Sequence, residues 1–256
     1  MAHIPRHDEI LKIISRLRSV SVQDLTERTG VSEVTIRKDL TILEEMGFVV
    51  RTHGGAQLAE DISAKRDLES RSGEHVAEKR QIATLAAQLI SDGDTIYLDS
   101  GSTCALLAAR ISGMNLRVVT NSISVMNALV GAHGISLFSI GGSYRREAGS
   151  FLGPLALENV KDFQIETCFV GATGISAGGA FSSRNILESQ LKTQILHSSR
   201  RRVVLADTSK FNTTAFSIFA RTDDVDVIVA EHDFEEAASL RELGIEVLLA
   251  DQPDSA

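Results

Sequence analysis

Cysteine is nearly absent, and its two copies, Cys104 and Cys168, stand far apart without a CxxC partner inside the apolar runs TCALLAA and TCFVGA. That spacing argues against a disulfide framework or a zinc site, so both thiols read as small core residues and no metal is expected. Long apolar runs are also missing: nothing reaches the roughly 18 residues of a membrane span, and no charged-then-apolar leader is visible. A cytoplasmic chain with no membrane partner is the expectation. An excess of positive charge is lacking too, the formal net charge being −8. Duplex affinity draws on Lys and Arg, so this balance weighs against a nucleic-acid partner. Its distribution softens the objection. Residues 1–57 hold eight basic residues (Arg6, Lys12, Arg16, Arg18, Arg28, Arg37, Lys38, Arg51) and eight acidic ones (Asp8, Glu9, Asp24, Glu27, Glu33, Asp39, Glu44, Glu45), so the deficit lies downstream. What is present is enough apolar material, 43% of 256 residues, for one full core and a small second one.

The first segment has helical periodicity. Ile10, Leu11, Ile13, Ile14 and Leu17 recur three and four apart, which predicts a helix over about Asp8 to Arg18. Ser21, three before Asp24, resembles a capping box, and Gly30 closes the short helix it opens. Ser32 can cap a third helix, with Ile36, Leu40 and Leu43 inward and Glu33, Thr35, Arg37, Lys38 and Thr41 outward. Phe48 to Arg51 and Ala56 to Leu58 flank His53, Gly54 and Gly55, which predicts a two-stranded wing with a flexible tip. Three helices and a wing fit either a duplex or another protein. For a duplex, Ser32, Thr35, Arg37 and Lys38 would reach the major groove, and Arg51 and His53 the flanking backbone.

Ala64 to Arg80 is charged and polar and leads into the helix QIATLAAQLI. Beyond it short apolar strands (TIYLD, LRVVT, ISLFSI, TCFVGA, RRVVLAD, VDVIVAE, IEVLLA) alternate with helices, the pattern of an α/β domain with a mostly parallel sheet. Ligands gather at the carboxyl ends of such strands, where this chain has Asp99, Gly101, Ser102 and Thr103, then Thr120 and Asn121, then Gly141 and Gly142, then Thr173 and Gly174, then Asp207, Ser209 and Lys210. A glycine turn opening a helix aims N–H groups and hydroxyls at one point, which suits a phosphate. Lys210 would balance its charge, and Asp99 and Asp207 would accept from sugar hydroxyls.

RHDEILKII and SVQDLTERTGVSEVTIRKDLTILEEMGFVVRTHGGA resemble the DeoR-family DNA-binding module; EKRQIA, DSGST, VVTNS, IGG, FVGATGI and LADTSK resemble its sensor. The resemblance implies a winged helix-turn-helix over 1–58, a linker over 59–80 and a ribose-5-phosphate-isomerase-like sensor over 81–256. It further implies a repressor of carbohydrate use, relieved by a phosphorylated sugar or polyol, with no cofactor. Candidates for DNA are Arg6, Ser21, Ser32, Thr35, Arg37, Lys38, Arg51 and His53. For the effector the resemblance adds Arg71 and Lys79, leaning over the site opposite Asp207 and Lys210. Where many members have Thr, Ser102 keeps the hydroxyl and drops a methyl. Neutral DNA-binding heads need pairing on one operator, hence a dimer or tetramer.

The competing reading is an isomerase or deaminase. That chemistry needs a carboxylate base beside the carbon that loses its proton. The loop Gly171, Ala172, Thr173, Gly174 carries none, and Glu188 alone on the following helix is a weak candidate, so no enzyme is expected. A protein-interaction adaptor is the third reading, disfavoured by the intact polar strand ends.

Overall fold

The computed structural model describes residues 5–17, 19–45, 48–58 and 73–250, in two compact units divided between Ser70 and Arg71. The first holds α1 (Pro5–Leu17), β1 (Ser19–Ser21), α2 (Val22–Thr29), α3 (Glu33–Glu45), β2 (Val49–Thr52) and β3 (Gly55–Leu58). The apolar rows close one core: Ile10 and Ile14, Leu25, and Ile36, Leu40 and Leu43 are buried together. Ser21 opens α2 with a full capping box, its Oγ accepting from Asp24 N at 3.0 Å. Gly30 ends it at φ +67°, where an L side chain is strained.

Three details depart from the sequence reading. The first helix is described over Pro5–Leu17, so it already includes Pro5, Arg6 and His7, while Arg18 lies outside the described residues. The wing has a third strand, because β1 pairs antiparallel with β3 in the order β1-β3-β2. Gly55 is no flexible tip either: a Cβ there would lie 2.0 Å from Val20 O, so the pairing with β1 requires glycine.

Asp39 turns inward from α3, only 3% exposed. Arg6 donates to it twice, from Nε at 2.6 Å and Nη2 at 2.9 Å, and His7 Nε2 lies 3.1 Å from Oδ1. Burial by itself pushes this carboxyl up; the hydrogen bonds from Arg6 and His7 outweigh it and hold the group below the ordinary carboxylate range. The cluster pins α1 to α3 and gives Arg6, a candidate for DNA, a structural partner.

The second unit runs α4 (Val76–Ala87), β4 (Thr95–Leu98), α5 (Ser102–Ile111), β5 (Leu116–Thr120), α6 (Ile123–Leu129), β6 (Ile135–Ser139), β7 (Ser143–Arg145), β8 (Ser150–Leu152), α7 (Pro154–Val160) and β9 (Ile165–Gly171). It continues with β10 (Gly174–Ile175), β11 (Phe181–Ser183), α8 (Ile186–His197), β12 (Ser199–Leu205), β13 (Ser217–Ala220), β14 (Val227–Ala230), α9 (Ala237–Glu242) and β15 (Glu246–Leu249). The expected strands form one seven-stranded sheet, order β15-β14-β12-β9-β4-β5-β6, parallel throughout. Alternate residues face opposite ways: Ile96 and Leu98 pack under α4, α5 and α6, and Tyr97 under α7, α8 and α9. Both cysteines are fully buried, and burial raises their thiols, Cys168 to about 11.

The chain leaves β4 toward β5 and β6, returns through β9, and continues away through β12, β14 and β15. The connections therefore diverge between β4 and β9. The helix expected after Arg80 begins at Val76, which puts Lys79 inside it. Sequence patterning also missed the β7–β8 hairpin and the β10-β11-β13 sheet, both built of strands too short for a periodic signal.

The Asp39 cluster gives a first test. Replacing Asp39 by Asn should cost about 2 kcal/mol through its charged hydrogen bonds. A depressed carboxyl contributes stability above its unfolded pKa of about 3.9 and loses it as pH falls through the lower folded value. Asp39→Asn should therefore show a shallower acid loss than wild type, read in urea unfolding through the amide signals of Ile36 to Leu43; an unchanged acid limb would contradict this.

Candidate functional site

On the first unit, α3 presents Ser32, Glu33, Val34, Arg37 and Lys38 to solvent, with Thr35 half-buried. Ser32 Oγ and Thr35 Oγ1 lie 3.0 Å apart, and Arg37 pairs with Glu33 one turn back at 3.3 Å. Lys38 has no ion-pair partner among the described residues. Arg51 is fastened beside α3, its N–H donating to Glu44 Oε1 at 2.9 Å and its Nη1 to Thr41 Oγ1 at 3.2 Å. His53 is exposed at the wing. Ser21 differs from expectation: its hydroxyl is engaged in the α2 cap, donating to Asp24 Oδ2 at 2.6 Å. Val34, 66% exposed on an otherwise polar face, was not anticipated; an outward methyl pair suits a thymine methyl.

On the second unit, the carboxyl ends of the strands gather most of the polar set at one pole. The turn Asp99–Ser100–Gly101 leads into α5, whose first N–H groups have no partner within the helix. Gly101 sits at φ −156°, open to any residue, and a Cβ there meets nothing within 4 Å. Neither backbone nor neighbours require a glycine at that point. Ser102 is half-buried and Thr103 buried beside it.

Asp99 lies at the divergence of β4 and β9 and is only 1% exposed. Its Oδ2 accepts from Gly171 N at 3.2 Å and from Lys192 Nζ at 2.6 Å, and the same ammonium donates to Gly171 O. Lys192, on α8, is thus a buried cation across the ends of both strands, and it lies 5.3 Å from the centroid of Phe219. Reading the sequence missed it. The signal was there: Ser189, Lys192 and Thr193 fall at i, i+3 and i+4, a polar stripe that points inward. Ser189 and Thr193 donate to Ser217 O and Phe219 O, closing the edge of β13.

The remaining candidates lie around this centre in different roles. Thr120 is fully enclosed, donating to Leu98 O at 2.6 Å and accepting from Ser122 N, so it shapes the turn and offers no surface. Asn121 donates to Phe151 O at 3.4 Å, while its Oδ1 is buried without a hydrogen-bond partner among the described residues, as is Ser150 Oγ nearby on β8. Such orphaned atoms cost about 1–3 kcal/mol each and are expected where a partner arrives from outside. Gly142, at φ +114°, and Gly174 have structural reasons: their Cβ atoms would lie 2.7 Å from Leu152 O and 2.9 Å from Thr213 O. Gly141 takes φ +64°. Asp207 is buried and accepts from Ser209 N and Oγ; Lys210, 29% exposed, stays in this loop, 3.1 Å from Ser209 Oγ and 3.8 Å from Asp207. Lys79 is buried in α4 and donates to Glu74 O at 2.6 Å. Arg71 lies outside the described residues. No cluster of metal-ligating residues occurs among the described residues, and no described helix is long and apolar enough to cross a membrane.

Comparison with known proteins agrees with both halves. Residues 6–61 match the DeoR-like helix-turn-helix domain and residues 74–232 the DeoR C terminal sensor domain. The candidate aga operon transcriptional repressor of Escherichia coli O157:H7 is 33% identical over 95% of this chain and 93% of its own. The glycerol-3-phosphate regulon repressor of Escherichia coli K12 is 30% identical over 90% of this chain and 92% of its own. Ribose 5-phosphate isomerase A from Methanocaldococcus jannaschii is similar at 19% identity over 52% of this chain and 53% of that one, with a TM-score of 0.39, too distant to bear on the site. The chain belongs to the DeoR family of helix-turn-helix transcriptional regulators.

Proposed function

We propose that this protein represses an operon for carbohydrate use, and that a phosphorylated sugar or polyol binding at the carboxyl pole of the sheet relieves the repression. The observation that carries the effector half is Gly101: a glycine that the fold does not need, at the amino end of a ten-residue helix, beside the divergence of β4 and β9. An arriving phosphate would meet unsatisfied N–H groups and the positive end of the helix dipole. The names of relatives that repress the aga operon and the glycerol-3-phosphate regulon favour the same class of effector. We infer further that the chain acts as a dimer or tetramer, and that the DNA-binding module is linked to the sensor by a stretch shorter than the expected 59–80, since 76–80 belong to α4. Binding would favour one arrangement of the sensor over another and so alter DNA affinity.

Catalysis is not part of this proposal. The 171–174 loop carries no carboxylate, and Asp99 is ion-paired through one oxygen with Lys192. For the DNA half, the exposed stripe of α3 with Arg51 beside it is the reading surface; Arg6 and Ser21 would act only by holding α1 and α2 in place.

Two outcomes follow. On a duplex selected from random sequence by the full chain, Lys38→Ala should weaken binding and lower the slope of log K against log salt by about 1, as expected when one phosphate is no longer neutralised; an unchanged slope would remove Lys38 from the interface. In a thermal-shift screen of matched free and phosphorylated sugars and polyols, one phosphorylated compound at about a hundred times its Kd should stabilise the protein by about 2.7 kcal/mol. Gly101→Val should weaken that compound at least about tenfold, 1.4 kcal/mol, with the unliganded midpoint unmoved. A response to free sugars alone, or one indifferent to Gly101→Val, would contradict the proposal.

A further inference from the structure

The Lys192–Asp99 pair does more than tie the sheet. An ammonium has three donors, and among the described residues two of those of Lys192 are engaged, by Asp99 Oδ2 and Gly171 O. Asp99 divides its oxygens unequally: Oδ2 accepts from Lys192 and from Gly171 N, and Oδ1 accepts nothing among the described residues. One donor and one acceptor of a buried ion pair are left over, two residues along the chain from Gly101.

We propose that this pair reads a hydroxyl of the effector, Lys192 donating to its oxygen and Asp99 Oδ1 accepting a hydrogen bond from its O–H. The inference rests on the phosphate docking at Gly101 to Thr103 proposed above. A hydroxyl both donates and accepts, so it matches the pair; a carbonyl oxygen leaves Asp99 unmet, and a methylene leaves both unmet. The ligand class narrows to a phosphate monoester that carries a hydroxyl close to the phosphorylated end, and excludes a plain alkyl phosphate. Lys192 also offsets the repulsion between Asp99 and an incoming dianion, which a half-buried lysine held by Ser209, as Lys210 is, does less directly. A site built to hydrogen-bond a hydroxyl rejects the analogue that lacks it far more strongly than an apolar pocket rejects a missing methylene.

The test uses the wild-type full chain, so no variant needs to fold. Lysine Nζ signals are followed by NMR, that of Lys192 being assigned through its proximity to the Phe219 ring, together with the Gly101 amide. The probes are sn-glycerol 3-phosphate, D-fructose 1-phosphate and D-glucose 6-phosphate, against n-propyl phosphate and inorganic phosphate. The expected result is that the Gly101 amide moves with the phosphates, the Lys192 Nζ signal moves only with hydroxylated esters, and the best of these binds at least roughly 100-fold more tightly than propyl phosphate. Movement at Gly101 with a silent Lys192, or equal affinity for propyl phosphate, would overturn the hydroxyl reading and leave the docking site standing. If neither signal moves with any probe, the docking site falls and takes this inference with it.

Discussion

A carboxylate buried at the end of a central strand needs a charged partner, and the sensor is organised by how Asp99 finds one. Lys192 reaches it from α8 at 2.6 Å and takes Gly171 O as well, so a single ammonium holds the end of β4, the end of β9 and the helix that follows the small sheet. Removing one member of such a pair typically costs about 3–5 kcal/mol, because the other is left buried and uncompensated. The divergence of the chain between β4 and β9 is where an open α/β sheet forms its crevice.

The same economy governs the DNA-binding unit. Its formal charge is neutral over residues 1–57, yet its acids are not equivalent. Asp39 is buried under Arg6 and His7, and Asp24 is tied to Ser21 in the α2 cap. On α3 the outward side keeps Arg37 and Lys38, with Arg51 fastened beside them by Glu44 and Thr41. A count of charges cannot see this; their direction decides what a duplex would meet.

Most of the sheet was legible because each strand is an apolar run between polar ends, and a buried parallel strand has that pattern by necessity. The Ser21 box and Gly30 were equally legible, since capping depends on residues close in sequence. What escaped depends on approaches between distant segments. Gly55 reads as a loose tip until β1 comes beside it, and the packing that requires glycine at 142 and 174 shows only once Leu152 O and Thr213 O are placed next to them. The gathering of polar strand ends at one pole could be read from the sequence, but the Lys192–Asp99 pair could not, because Lys192 lies ninety-three positions from Asp99 and looks in sequence like an ordinary helix lysine.

Effector binding at the carboxyl pole of the sheet is the central claim. The opposite end offers a competitor, an open cleft of about 170 Å³ lined by Thr95, Arg117, Gln164, Ile165, Glu166 and Arg200, with two guanidinium groups. Hydrogen exchange of the full chain, with and without a saturating phosphorylated compound that stabilises it, separates the two directly. Binding at the carboxyl pole predicts new protection at the amides of Gly101 to Ala105 and around Gly171, with the segments bearing Arg117 and Arg200 unchanged. Protection confined to those latter segments, with the amino end of α5 exchanging as before, would contradict it.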